Sequence, residues 1–397
     1  MTVTANTLPS SILGPEISVA PDNHPFRQEF RSWLAANSPG IPEPLDQDEK
    51  FAMRRTWQRT LFEGGWAGPA WAEEYGGRGA GPLHQFMYYE ELALARAPFI
   101  ANTPGISLLG PTLIEVGSEE LKARFLPVML SADEVFCQGF SEPNAGSDLA
   151  AIRGRARLDG DEWVIDGQKI WTTWAQYSDF CFVLCRTDPD SERHRGLTLL
   201  ICPMDQEGVT VRPIEQISGD PEFCEVFFDG ARAPAAYAVG GIDDGWTTAM
   251  ILFQFERGDQ GFTDHSRMLV HLYDIAAGLR DPNITGRISA QAAAQARRRL
   301  ADLWTRCQEL RRFNLRVAVR LEEGESIGMN GSVVNLFWGE LEREIGELEA
   351  ELHGARGLLL GTEPGHEILA TRAGTIHSGT SEIQRNIIAE RLLGLPR

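Results

Sequence analysis

The sequence predicts an α+β chain in which a small β domain lies between two helical regions. Three observations carry that prediction. From Pro25 to about Asp133 apolar residues recur at helical spacing, between roughly Glu134 and Pro234 the period falls to two, and after Gly245 the helical period returns. At 397 residues the chain can bury a substantial core shared among roughly two or three domains. The expected limits are an arm over residues 1–24, a helical domain over 25–133, a β domain over 134–240 and a helical bundle over 241–397.

Each region follows from its own residues. Residues up to about Pro21 are rich in Ser, Thr and Pro and aperiodic, which reads as an arm or loose tail. In the first helical region Phe26, Phe30 and Trp33 repeat at helical spacing, and Glu90-Glu91-Leu92-Ala93 lies in a run of helix formers. Turns interrupt at Ser38-Pro39-Gly40 and Tyr75-Gly76-Gly77-Arg78-Gly79. Trp163-Val164-Ile165, Phe180 to Leu184, Leu197 to Ile201 and Cys224 to Phe228 read as strands separated by Asp/Gly turns. Beyond Gly245, Leu300, Leu303, Cys307 and Leu310 step three-four-three, and Glu340 to Leu352 alternates Glu with apolar residues, so each helix has one buried seam.

Composition excludes several classes. The formal charge of −19 repels nucleic acid and anionic membranes. No apolar run reaches the length of a membrane span, and the N-terminus lacks a basic start followed by an apolar core, so a cytoplasmic location is expected. The six cysteines show neither CxxC pairs nor zinc spacing. They read as reduced core residues, with no metal.

The most informative stretch runs from Cys137 to Thr173. It joins the polar loop Ser141-Glu142-Pro143-Asn144-Ala145-Gly146-Ser147-Asp148 to two short strands ending at Trp171-Thr172-Thr173. Ser141 and Thr173 offer hydroxyls, Gly146 lets backbone N–H groups approach a ligand, and Trp171 supplies a flat apolar face. Such a loop suits a buried polar ring system.

These two motifs, at this separation, resemble the signature of the acyl-CoA dehydrogenases, and the resemblance spans about residues 25–397. It implies a middle domain that is β-barrel-like, a C-terminal four-helix bundle and FAD as cofactor. By position it assigns Phe140, Ser141, Gly146, Ser147, Trp171 and Thr173 to the flavin, together with Thr380 and Glu382 of the C-terminal loop. Ser147, Arg257, Ser378 and Gly379 fall at substrate positions. Ser147 also reads as an ordinary turn or N-cap serine. Phe140, Phe253, Phe255 and Trp174 suggest an apolar acyl pocket.

The reaction so implied removes a proton from Cα of an acyl thioester and a hydride from Cβ, leaving the trans-2-enoyl-CoA. The protein must supply a base, an oxyanion site and geometry. Most members carry the base Glu in a C-terminal loop that here reads Ile376-His377-Ser378-Gly379-Thr380-Ser381-Glu382, so Ser378 takes its place. One branch instead places Glu before Arg on a mid-chain helix, and this chain has Phe255-Glu256-Arg257 after Gly245-Trp246. Glu256 is therefore the expected base and Arg257 a holder of the CoA. Alone, the pair reads equally as a solvated helix dipeptide; the serine at position 378 favours catalysis. The backbone N–H at 378 is expected to bind the thioester oxygen. His377 reads as a structurally bonded loop histidine, Arg297-Arg298-Arg299 as a solvated face, and Gly76 to Gly81 as a plain turn.

Two family motifs are missing. After Tyr273 the sequence reads Asp274-Ile275-Ala276-Ala277-Gly278, without the Arg that in homotetrameric relatives reaches a neighbour's FAD. The adenine-side motif reads Glu351-Leu352-His353-Gly354-Ala355. The flavin-ring half is kept while the half lent to a neighbour is eroded, as in the actinobacterial steroid side-chain dehydrogenases built from two unlike subunits. A homo-oligomer and a heterotetramer with a related subunit both remain open. Three functions compete: an acyl-CoA dehydrogenase passing electrons to an electron-transfer flavoprotein, a non-catalytic subunit stabilising an active paralogue, and an oxygen-using acyl-CoA oxidase.

Overall fold

A computed structural model describes residues 8–14 and 18–396, with the side chains of 256–260 excepted. The N-terminal region holds helices α1 (Pro25–Asn37), α2 (Gln47–Glu63), α3 (Pro82–Leu94), α4 (Gly110–Val116) and α5 (Glu119–Ser131). Local chemistry sets their ends. Asp46 and Ser118 accept from the first-turn N–H groups of α2 and α5, and Pro stands in the first turn of α1, α3 and α4.

The middle region contributes β1 (Phe136–Gly139), β2 (Arg155–Asp159), β3 (Glu162–Thr173), β4 (Phe180–Arg186), β5 (Leu197–Pro203), β6 (Val209–Ile214), β7 (Phe223–Pro234) and β8 (Ala238–Val239). They form one eight-stranded sheet in the order β6-β7-β3-β2-β4-β5-β8, with β1 parallel to β4. Cys181, Val183, Leu200, Cys202, Val226 and Ala231 fill its inner core. The other face of β4 and β5 buries Phe182, Leu184, Leu199 and Ile201 in a cluster shared with the N-terminal helices. Burial on both faces explains why these two strands are unbroken apolar runs.

The C-terminal region comprises α6 (Gly245–Gly278), α7 (Pro282–Thr285), α8 (Ala290–Glu322), α9 (Asn330–His353), α10 (Glu363–Ala370) and α11 (Ser381–Ile387). Leu272, Leu303, Cys307, Leu310, Leu341 and Ile345 form the seam between the three long helices. Short α10 and α11, both packed on α9, take the fourth place. Ala249 and Leu252 at the start of α6 enter the N-terminal cluster, so this helix joins the domains. Among the described residues no helix is long and apolar enough to cross a membrane.

The arm departs from the expectation of a loose tail. Residues 10–13 form a 3-10 turn with Ile12 and Leu13 buried, and Gln308 of α8 donates to the Leu13 carbonyl at 2.7 Å. Two apolar residues are too short a pattern for sequence periodicity to register. The six cysteines are free and buried, as expected, and burial raises the Cys202 and Cys307 thiols above their ordinary range.

Candidate active site

The loop singled out in the sequence is held in a fixed shape. The Ser141 carbonyl accepts from the Ile170 N–H at 3.0 Å, tying the loop to β3 one residue before Trp171. The β3–β7 register shifts between Lys169 and Thr172, and Trp171 sits in that bulge at φ 61°. A tryptophan in left-handed backbone is strained, and here the strain turns the indole outward, 55% exposed. A methyl group built on Gly146 would meet nothing within 4 Å, so its backbone is open to a ligand. Asp148 closes the loop by pairing with Arg193 at 2.8 Å, and the next residue, His194, packs on Trp246 of α6.

Phe223 links this wall to the C-terminal helices. It pairs with Thr173 in the β3–β7 ladder and meets Trp171 edge-on at 6.1 Å. It also lines a crevice of about 180 Å³ between the 216–223 segment and α9, α10 and the 373–377 loop. Trp338, Glu342 and His377 are on the opposite wall. Burial lowers the His377 imidazole to about 4, so it is neutral at pH 7. Burial, and then the neighbouring Glu367, raise the Glu342 carboxyl to about 7.

The 376–382 loop follows directly. Ser378 and Gly379 both have left-handed backbone, at φ 54° and 96°. Gln384 donates to the Ser378 carbonyl at 3.0 Å and Asn335 donates to it at 3.4 Å, fixing the 378–379 peptide. The Thr380 hydroxyl caps α11 by accepting from the Ile383 N–H, and Glu382 is exposed in its first turn. Both expected flavin residues therefore also serve the helix start.

The structure thus gathers Ser141, Gly146, Trp171 and Thr173 on one wall and places Ser378 and Gly379 beside the crevice. Ser147 is exposed at the loop end. Phe140 is 4% exposed and packs edge-on against Phe182 and Phe253, so its side chain belongs to the core. Trp174 is buried against Phe51 and Tyr177, and its main-chain N–H donates to the Glu222 carbonyl at 2.7 Å. Glu256 and Arg257 are on α6, about 4.5 Å along the axis and more beyond Phe253; their side chains, like the roles assigned to them, fall outside the described residues. Phe223, Trp338, Glu342 and Lys169 escaped the sequence reading. For Lys169 the signal was its place inside a β strand two residues before the Trp171-Thr172-Thr173 motif.

One buried donor at the crevice is free to meet a polar ligand edge. The Trp338 indole N–H is buried in its lining without a partner among the described residues. An orphaned group of this kind is rare in a finished interior and points to a ligand.

Comparisons with known proteins agree with this arrangement. Profiles described as the acyl-CoA dehydrogenase N-terminal, middle and C-terminal domains match residues 20–133, 137–231 and 243–393. Acyl-CoA dehydrogenase IpdE1 of Mycobacterium tuberculosis is 43% identical over 95% of this chain and 98% of its own. The solved Tcur3481-Tcur3483 steroid ACAD superposes with a TM-score of 0.80 at 30% identity, over 94% of this chain and 97% of that one. The ChsE4-ChsE5 complex from Mycobacterium tuberculosis gives 0.77 at 28% identity, over 96% and 100%.

Proposed function

Because this chain belongs to the acyl-CoA dehydrogenase family, an FAD-dependent oxidoreductase family, we propose that it desaturates a steroid-derived acyl-CoA with Glu256 as the base. When bound, the flavin supplies the two-electron acceptor that takes the Cβ hydride at N5. The chain's own residues do the rest. The Glu256 carboxylate takes the Cα proton, and a dry pocket raises its basicity for that task. The Ser378 main-chain N–H stabilises the charge that develops on the thioester oxygen, and Gln384 and Asn335 fix the peptide that follows it through the Ser378 carbonyl. Ser141 and Thr173 hold the ring by their hydroxyls against Trp171, and Ser147 and Arg257 hold the CoA. The trans-2-enoyl-CoA leaves, and an electron-transfer flavoprotein collects the electrons.

What supports this reading is the co-occurrence of the flavin-loop motif with a serine at 378; a crevice lined by Phe223, the ladder partner of Thr173, and by His377, the residue before Ser378, lies between the two segments. A related second subunit fits the rest. Relatives solved as ChsE4-ChsE5 and Tcur3481-Tcur3483 contain two named chains. In this chain Leu358, Leu359 and Leu360 beside the eroded adenine motif are 78%, 58% and 77% exposed, an apolar patch that a neighbouring subunit would cover. The competing role of an inert stabilising subunit draws on the same missing arginine. Purifying the chain with its co-eluting partner, counting flavin per chain and titrating with steroid-type and straight-chain CoA esters separates the two. Bleaching by the steroid-type esters supports catalysis, and a flavin that no ester bleaches refutes it.

A further inference from the structure

Lys169 stands on β3 two residues before Trp171 and is only 1% exposed. Its ammonium donates to the Leu184 carbonyl at 2.7 Å, the Glu142 carboxylate at 2.8 Å and the Phe140 carbonyl at 3.2 Å. Those three bonds account for every proton it carries. Glu142, itself 9% exposed, accepts in addition from the N–H groups of Arg153 at 2.7 Å and Gly154 at 2.8 Å. The pair is therefore buried, neutral as a unit and fully hydrogen-bonded.

Energetics say what such a pair is for. Burying two charges costs several kcal/mol before their attraction returns it, and apolar replacements of similar size are often as stable. A geometric role is what remains, and the contacts define it. One ammonium grips the residue before Ser141, the residue after Ser141 and strand β4, two places along the sheet. The next residue on β3, Ile170, donates to the Ser141 carbonyl. The bulge that turns Trp171 outward begins at Lys169 itself, where the β3–β7 register breaks.

We infer that Lys169 and Glu142 are positioning residues that fix Ser141 against the Trp171 bulge, and so set how tightly this chain holds its flavin. The inference rests on the flavin site proposed above. Neither residue needs to touch the ring, because both act through the backbone on either side of it. Removing one partner alone leaves a buried charge unmet and disturbs folding. Replacing both with neutral groups of similar length keeps the interior filled while releasing the clamp.

The test compares the full-length wild type with the double variant Lys169→Met/Glu142→Gln, each in complex with any partner that co-purifies. FAD affinity is measured by titrating the deflavinated protein, and folding by its melting temperature without FAD. The expected result is a double variant that melts within a few degrees of the wild type yet binds FAD about tenfold more weakly or worse. Its bound flavin is also expected to show a shifted visible band. Equal FAD affinity in the two proteins overturns the inference, as does a loss of affinity matched by an equal loss of melting temperature. A wild type that takes up no flavin overturns the functional reading itself.

Discussion

His366 of α10 donates to the Asp220 carboxylate at 2.5 Å, and that one aspartate gathers all three structural regions. Gln47 of α2 donates to it at 2.7 Å, and the Lys50 ammonium stands 4.0 Å away. Asp220 also lines the crevice, so the contact that joins the regions borders the candidate site.

This pair makes stability depend on pH in a defined direction. The hydrogen bonds to Asp220 and Glu367 raise His366 to about 10, against an ordinary value of 6.5. Its contribution is complete below about 6.5 and is lost as pH rises towards 10. The bond to His366, against burial, lowers Asp220 from 3.8 to about 2, so its contribution is present above about 4 and fades as pH falls towards 2. His366→Gln should therefore destabilise the protein by about 1–2 kcal/mol between about pH 4 and 6.5, allowing for solvent at a partly exposed pair. The deficit should shrink steadily towards pH 10. Denaturant midpoints across that range check it, and a deficit that grows with pH contradicts it.

Arg27 anchors a second network, buried except at Arg31, which also reaches Glu91 at 2.8 Å. Arg27 bridges Glu90 and Glu91 of α3, while Arg311 of α8 reaches Glu90 at 2.6 Å. Burial opposes ionisation of Glu90, but Arg27 first, then His265 and Arg311, hold its carboxyl below the usual range. Arg27→Met should cost about 3–5 kcal/mol, because it leaves acidic groups short of a counter-charge in the interior. Urea unfolding measures this, and a loss under about 1 kcal/mol refutes the network's role.

Glu342 lines the crevice, where its charge would act on a flavin bound there. It is neutral below about pH 7 and ionised above, with Glu367, Glu222, Asp220, His377 and His271 as its titratable neighbours. An anion beside a ring that gains electrons disfavours the reduced state. The flavin potential should fall by roughly 20–30 mV beyond its usual pH slope as pH passes about 7. In Glu342→Gln that extra step should vanish; its survival assigns it to another group.

The sequence showed the architecture wherever a pattern was long. Phe180 to Arg186 and Leu197 to Pro203 read as strands because both faces are buried, and α8 and α9 read as helices because one seam repeats over many turns. Strand β6 went unread: Val209-Thr210-Val211-Arg212-Pro213-Ile214 lies at the sheet edge, with a Pro and exposed alternate positions. The motif loop was legible because its residues are contiguous. The crevice was not, since Phe223 of β7 and the pair Trp338 and Glu342 of α9 come from two distant segments that only packing unites. Lys169 was passed over because a lysine on a strand ordinarily faces water.

The serine at 378 offers a test of where the base resides. In a Glu256→Gln background, Ser378→Glu restores a carboxylate at the usual family position. Some turnover should return, on the order of a hundredth of the wild type, since a base displaced by about an ångström loses roughly that factor. Steady-state assays with the same CoA ester measure it. No recovery above Glu256→Gln alone counts against the shared substrate position.

The most direct measurement is anaerobic flavin bleaching by a steroid-type acyl-CoA in the wild type and in Glu256→Gln. The account predicts that the wild type loses its visible flavin band, while the variant keeps both the flavin and its colour, with reduction slowed at least about a thousandfold. Equal bleaching in the two proteins would contradict Glu256 as the proton acceptor.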